Sequence, residues 1–367
     1  MKNIFIYLTF CLAINASAQV IVKVAPTGVN DVMQKKAKEK KLLYTKTTTA
    51  EYKDGYWLQS DASRTKNIYA SVLMSKAKNV PYAVYGAIAE YYCLNGANIE
   101  ENGYPIMDEK PMKNGSYQLF DKKAIFWSPT IGVHELHGDI MRKWQALGSE
   151  NSFLGFPVTN ETATPDGYGR FNFFEGGAIY YHPNLGTFSV PKMIAEVWKK
   201  EGWEKGKLGY PISDEIIKNN NSVQKFEFGA VISAKGGAYQ VIYNGDKKSR
   251  GLYSKWLETG AENSYLGDLV TPNRSYPKNQ YQYFAEFQKG YIYESFIKGT
   301  NKIDAFVIRK GPIFDYYASK KWEQGYLGLP ISDEQSSKKS VEELREQVFQ
   351  GGVIYYTQSM GAFEKKK

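Results

Sequence analysis

Four carboxylate-bearing pairs recur at one offset behind a glycine turn: Asp108-Glu109, Asn160-Glu161, Asp214-Glu215 and Asp333-Glu334. Thr159, Ser213 and Ser332 precede three of them. Carboxylates converging on one mouth would suit a hard cation, which takes oxygen ligands. Ser, Thr, Asp and Asn side chains also bond nearby backbone groups and so build turns. The second role is favoured, because the fourth place holds Pro272-Asn273. Acid–base catalysis moreover asks for two carboxylates in different environments, not one pair repeated. The only histidines are His134, His137 and His182. His134-Glu-Leu-His137 is one residue short of the zinc-protease spacing that puts two ligands on one helix face. Gln358-Ser-Met-Gly361 lacks the leading glycine of a nucleophile elbow. No glycine loop of phosphate-cradling spacing occurs. The expectation is therefore no catalytic residue, no metal and no cofactor.

Aromatic rings remain. They stack on sugar faces, and tyrosine adds a hydroxyl. Trp127, Tyr181 and Tyr356 stand two residues beyond a recurring aliphatic residue, and are the candidate ligand-binding residues. Strand alternation puts them on the face of Ile125, Ile179 and Ile354, an argument that serves core packing equally.

The elements that would position these residues come from a repeat. A turn recurs at Asn102-Gly-Tyr-Pro105, Leu154-Gly-Phe-Pro157, Leu208-Gly-Tyr-Pro211, Leu266-Gly-Asp-Leu269 and Leu327-Gly-Leu-Pro330. Behind each turn lies a Phe with Ile or Val five residues later: Phe120/Ile125, Phe174/Ile179, Phe226/Val231, Phe287/Ile292 and Phe349/Ile354. Ten residues before the turn leucine stands Tyr92, Trp144, Trp198, Trp256 or Tyr317. The turn glycines are spaced by 52, 54, 58 and 61 residues, which marks loop insertions towards the C-terminus. Each unit is predicted to be an amphipathic helix, the turn and a β-hairpin. Met193, Ile194, Val197 and Trp198 form one apolar helix face, and Gly148, Gly202 and Gly260 end three helices. A single unit cannot bury its aromatics, so neighbours must cover one another. The chain begins and ends mid-unit, which predicts an α+β repeat fold. Its five helix–turn–β-hairpin units would close into a propeller-like, pseudo-five-fold ring, with the first helix beside Phe349 to Phe363.

The segments Ala124-Ile-Phe-Trp-Ser-Pro129, Gly132-Val-His-Glu-Leu-His-Gly138, Trp144-Gln-Ala-Leu-Gly148 and Leu154-Gly-Phe-Pro-Val-Thr-Asn-Glu161 resemble the LGFP repeat. The resemblance covers roughly Ile68 to Phe363. Its fourth copy departs most, with Asp268-Leu269 in place of aromatic–proline. In that family, tandem repeats sit on bacterial envelope proteins beside mycolyl transferases or peptidoglycan-lytic enzymes, and are thought to hold them on the wall polymer. No enzyme domain of that kind accompanies the repeats here. The resemblance thus implies a non-enzymatic module binding cell-wall polysaccharide or peptidoglycan. The alternatives are a scaffold for another exported protein and, more remotely, a glycan hydrolase using Glu161-type carboxylates.

Charge and the N-terminus agree with an envelope role. Lys2, an apolar run from Ile4 to Ile14 and Ala16-Ser17-Ala18 have the form of an export signal, placing the protein as secreted, periplasmic or envelope-bound. Removing it takes the net charge from +9 to +8. A basic chain favours anionic envelope polymers, but scattered charges carry no nucleic-acid arm. Without Cys11, Cys93 would be alone and no internal disulfide would form. No later stretch has transmembrane length. The expected organisation is a leader at 1–18, a partly flexible Lys-rich segment at 19–65, the repeats at 66–363 and a basic tail at 364–367. A capping box at Ser340 and Glu343 predicts an added helix.

Overall fold

The computed structural model describes residues 23–42, 49–52, 54–59, 70–94, 102–218, 221–233, 239–276, 279–297, 300, 302–337 and 343–364. The leader, Ser340 and residues 365–367 lie outside them. Two compact units divide the chain, Met1–Pro183 and Asn184–Lys367.

All five turns are built alike. Gly103, Gly155, Gly209, Gly267 and Gly328 take φ between +65° and +76°, where a Cβ would be strained. The N–H after each glycine finds a side-chain acceptor just beyond the recurring Phe. Tyr104 donates to Asp121, Phe156 to Glu175, Tyr210 to Glu227, Asp268 to Gln288 and Leu329 to Gln350, at 2.8–3.2 Å. The glycine carbonyl accepts from the helix aromatic in four copies: from Tyr92 (2.9 Å), Trp144 (3.0 Å), Trp198 (3.1 Å) and Tyr317 (2.9 Å). This is why that place holds Tyr or Trp and never Phe: the buried ring must carry a donor at its tip. The turn prolines bridge Phe120, Phe174, Phe226 and Phe349, while in the fourth copy Leu269 pairs with Phe287.

Six antiparallel sheets follow chain order as open meanders, one of five strands and five of four. In the first unit, the first sheet runs through Lys23–Val24, Ala50–Glu51, Gly55–Gln59, Ser71–Ser75 and Tyr82–Val84. The second comprises Lys110–Met112, Gly115–Leu119, Ala124–Ser128 and Gly132–Leu136; the third starts with Thr162–Ala163, Arg170–Phe174 and Gly177–His182. The second unit opens with the strand Gly186–Pro191. Its fourth sheet spans Ile216–Lys218 to Tyr239–Tyr243, its fifth Leu269–Tyr276 to Ile303–Arg309 and its sixth Gln335–Ser337 to Gly361–Glu364.

The helices α1 (Thr27–Glu39), α2 (Gly86–Leu94), α3 (Gly138–Ala146), α4 (Lys192–Lys200), α5 (Leu252–Glu258) and α6 (Pro312–Ser319) are short. Four of them are wedged between consecutive sheets. Ile88 and Tyr92 of α2 share a core with Trp57, Leu73 and Val84 before them and Phe120 and Ile125 after them. Trp144 of α3 joins Phe126 and Leu136 to Phe174 and Ile179. In the second unit, Trp256 of α5 joins Ile242 to Phe287 and Ile292, and Tyr317 of α6 joins Tyr293 and Ile308 to Phe349. α1 covers the outer face of the first sheet, with Met33 and Ala37 on Leu58, Val72 and Met74. On α4 the inward face is Ile194, Ala195 and Trp198, leaving Met193 exposed. None of the described helices is long and apolar enough to cross a membrane.

The propeller-like ring of five hairpin units is not what forms. Among the described residues no sheet closes into a barrel or propeller; each keeps its own two edges. The half-unit that seemed to need a closing partner has one locally. Tyr92 packs on the first sheet, whose strands lack the turn motif and so escaped the repeat, while Phe349 packs on Tyr317. The units are also four-stranded rather than hairpins. Their first strands are two or three residues long in four of the five copies, and His134 to Leu136 belong to a strand. Cys93 is buried in the core that holds Ile88 and Tyr92; the sequence's other cysteine, Cys11, lies outside the described residues.

The three helix-ending glycines behave as expected: Gly148, Gly202 and Gly260 have φ of +93° to +108°. In the last copy Lys321 takes that place at φ +70°. A lysine there carries backbone strain that glycine would not, so Lys321→Gly is expected to raise stability by about 1 kcal/mol in urea unfolding. An unchanged midpoint would mean the strain is relieved elsewhere.

Candidate functional site

Where the last strand of one sheet meets the start of the next, one backbone residue is held at both polar groups. The N–H of Ala83, Glu135, Ser189, Tyr243 and Val307 donates to the side chain of Asp108, Asn160, Asp214, Asn273 and Asp333, at 2.8–3.3 Å. The carbonyl of the same residue accepts from a buried amide: Gln118 to Ala83 (2.9 Å), Gln224 to Ser189 (2.8 Å) and Gln347 to Val307 (2.8 Å). At the second joint Asn172 serves Glu135 at 3.4 Å. At the fourth, Ala285 occupies the amide's register position, and Asn273 itself donates to the Tyr243 carbonyl at 2.8 Å. An aspartate only accepts, whereas an asparagine accepts and donates. Pro272-Asn273, which departs from the repeat in sequence, therefore makes a complete joint. The first residue of each recurring pair is a structural clamp. Two of the aspartates also meet cations, Lys36 and Lys40 on Asp108 at 2.7 and 2.9 Å and Lys255 on Asp333. Among the described residues no group of three or more His, Cys, Asp or Glu side chains is placed to hold a metal ion.

The second carboxylate of each pair meets a neighbour on the same sheet. Ser116 donates to Glu109 and Ser222 to Glu215. Arg170 lies 3.3 Å from Glu161, and Arg345 lies 2.7 Å from Glu334. Across the strand pair, Ser116 faces Trp127, Arg170 faces Tyr181 and Arg345 faces Tyr356. The three candidate aromatics thus hold the same register position, each on its own sheet, beside a polar partner and its carboxylate. All three are half-buried and lean on a core, Trp127 beside Ile125, Tyr181 beside Ile179 and Tyr356 beside Ile354. The Arg345 guanidinium lies 4.3 Å over the Tyr356 ring. What each such place offers a ligand is a half-buried ring with a carboxylate and, in two copies, a guanidinium.

The histidines serve this arrangement. His134 meets Asn160 and His137 meets Glu161, both through Nδ1 at 3.2 Å, so the two rings go to successive residues and not to one ion. The Glu161 side chain is only 5% exposed. Burial pushes its carboxyl up to about 7 against the pull of Arg170, with Glu135 and Asp139 adding to the rise. Burial lowers His137, opposed by Glu135 and aided by Lys123 and Arg170. A raised carboxyl means the native state holds a proton the unfolded chain has released. Its contribution is fully present below about 4.5 and lost as pH rises through about 7. The lowered His137 acts in the opposite direction, so wild type is compared with Glu161→Gln. The variant is expected to be more stable by roughly 1–3 kcal/mol at pH 8, with the difference gone by about pH 5. Equal denaturant midpoints at pH 8 would contradict the burial cost.

Comparison with known proteins assigns part of the chain to a family. Residues 103–152, 154–206 and 208–264 each match the family described as LGFP repeat. Residues 103–264 are three LGFP repeats. LGFP repeats are associated with cell-envelope and carbohydrate-binding roles, and are generally non-catalytic structural or binding modules. The turn, sheet and helix succession continues past the matched residues, through Leu266 and Leu327. No curated protein matches the chain in sequence. Among solved structures, the extracellular domain of the putative hybrid two-component system BT4673 from B. thetaiotaomicron is 9% identical, with TM-score 0.13. The match covers 84% of this chain and 39% of that one. PorZ, a surface component of the type-IX secretion system of Porphyromonas gingivalis, is 8% identical over 89% of this chain and 37% of its own, with TM-score 0.13. The Neurospora crassa Pan2 WD40 domain is 6% identical over 86% and 77%, with TM-score 0.14. The chain spans well under half the length of the first two, and likenesses this weak carry no argument about fold or function.

One set of exposed residues escaped the sequence reasoning. Phe153, Tyr265 and Tyr326, immediately before three turn leucines, are 51%, 47% and 62% exposed. Their signal was an aromatic recurring one residue ahead of a buried leucine, where nothing in the packing asks for one.

Proposed function

We propose that this protein is an exported, non-enzymatic module that binds cell-wall polysaccharide or peptidoglycan along its repeats. The observation that carries the proposal is the recurring row of carboxylate, polar partner and aromatic: Glu109–Ser116–Trp127, Glu161–Arg170–Tyr181 and Glu334–Arg345–Tyr356. Rings provide apolar area for a sugar face, while carboxylates and guanidinia take its hydroxyls. Repetition suits a polymer, because several weak contacts on one chain add through effective concentration. A leader at 1–18 would direct export, and the net charge of +8 that remains after its removal supports attraction to an anionic wall.

Binding of the mature protein to purified sacculi is the test. Attraction by exposed charge is expected to weaken as salt rises, while the stacking share persists. Tyr356→Ala, checked for folding by its melting transition, is expected to weaken high-salt binding by roughly three- to tenfold. Capture of one exported protein without any glycan binding would instead make the chain a scaffold.

A further inference from the structure

In the second unit, two successive repeats set an aromatic ring against a cation at one pair of places and exchange which place holds which. The first place precedes the turn leucine; it is Lys207 in one repeat and Tyr265 in the next. The second place lies opposite the repeat glycine on the sheet's last strand, where Tyr243 faces Gly229 and Arg309 faces Gly290. The Lys207 ammonium sits 4.7 Å over the Tyr243 ring, and the Arg309 guanidinium 4.8 Å over the Tyr265 ring. The glycines are what bring the places together. A Cβ on Gly229 would stand 2.6 Å from the Ile242 carbonyl, and one on Gly290 2.6 Å from the Ile308 carbonyl. The pairs remain open to solvent: Tyr265 is 47% exposed, the Lys207 side chain 57%. Lys207 also donates to the Tyr243 hydroxyl at 3.4 Å, its pairing with Glu201 is loose at 3.6 Å, and Arg309 forms no ion pair among the described residues. Core packing requires neither cation. A ring and a cation kept in contact at the surface, with the order reversed between repeats, is a property held at the level of the pair.

We propose that these pairs are subsites for a carboxylated sugar within a wall polysaccharide. The pyranose ring packs against the solvent-exposed part of the tyrosine, and the carboxylate on that same sugar pairs with the guanidinium or ammonium that lies over the aromatic ring. Charge complementarity selects this occupant. Each subsite offers one cation beside one ring, which matches a uronate-type residue carrying its single charge on the sugar itself. In the last repeat the equivalent Tyr326 hydrogen-bonds Glu364, so its hydroxyl is held by a carboxylate and that ring is set apart from the two acid subsites. This inference rests on the glycan-binding proposal above and adds both its residues and its ligand chemistry.

The test uses the full mature chain and three soluble probes in affinity electrophoresis at low salt. The probes are polygalacturonate, its fully methyl-esterified form and polyglutamate. Wild type is expected to bind polygalacturonate about tenfold more tightly than the ester, and more tightly than polyglutamate. Arg309→Ala combined with Lys207→Ala should abolish that preference while the melting transition stays unchanged; Arg309→Lys should keep part of it. Tyr265→Ala should weaken polygalacturonate and ester alike, whereas Tyr326→Ala should leave the acid preference intact. Equal binding of acid and ester, equal binding of polyglutamate, or a preference surviving the double variant would overturn the inference. If sacculi are still bound in any of those cases, the wider glycan-binding proposal stands; if no glycan is bound at all, both fall.

Discussion

Replacing Phe226, Phe287 or Phe349 by alanine is expected to lower stability by ~3–5 kcal/mol, the cost of emptying a fully packed aromatic site. The three are 0–2% exposed, and Phe120 and Phe174, at 4%, are expected to follow closely. Each ring stands at the meeting of turn, sheet and helix, as Phe349 does beside Tyr317 with centroids 4.7 Å apart. Its loss would loosen the hydrogen bond from that helix aromatic to the turn glycine as well as vacate volume. Urea midpoints that barely moved for most of the five would show that the copies are not equivalent.

The second large effect is expected at the joints. Gln224 donates to the Ser189 carbonyl at 2.8 Å and to the Ser213 carbonyl at 2.9 Å. Gln224→Ala strands both and should cost about 1–3 kcal/mol. The lower end applies if relief of the amide oxygen, which has no partner, offsets part of the loss. The fourth joint supplies its own remedy, since Asn273 performs both tasks beside Ala285. Asp214→Asn with Gln224→Ala rebuilds that pairing in the third joint. The double variant is expected to be more stable than the sum of the single losses by about 1 kcal/mol, measured as a double-mutant cycle. Strict additivity would mean the Asp–Gln and Asn–Ala combinations are unrelated solutions.

What the sequence disclosed follows from the range of the interactions. Turn glycines, buried phenylalanines and helix-ending glycines act over a few residues, and their recurrence exposed them. Tyr92 and Trp144 were visible as a motif, although their donation to Gly103 and Gly155 was not, because that bond joins helix to turn across the core. The ring was inferred from a half-unit at each end. It failed because Trp57, Leu73 and Val84 supply the missing sheet without carrying the motif. The clamps at Asp108 and Asn273 were legible as turn formers but not as joints, since their partners, Ala83 and Tyr243, lie on the preceding sheet. Trp127, Tyr181 and Tyr356 were placed by alternation on the core-facing side, and there the structure leaves them half-buried. Tyr265 and Arg309 were not linked at all, because they are far apart in sequence and meet only through the Gly290 strand pair.

Incubation of mature protein with purified sacculi, followed by assay of both the pellet and the released material, tests the central claim most directly. Protein is expected in the pellet, displaced in part by salt, with no soluble sugar or peptide fragments above a buffer control. Release of fragments that Glu161→Gln abolishes would contradict it and make the chain a hydrolase.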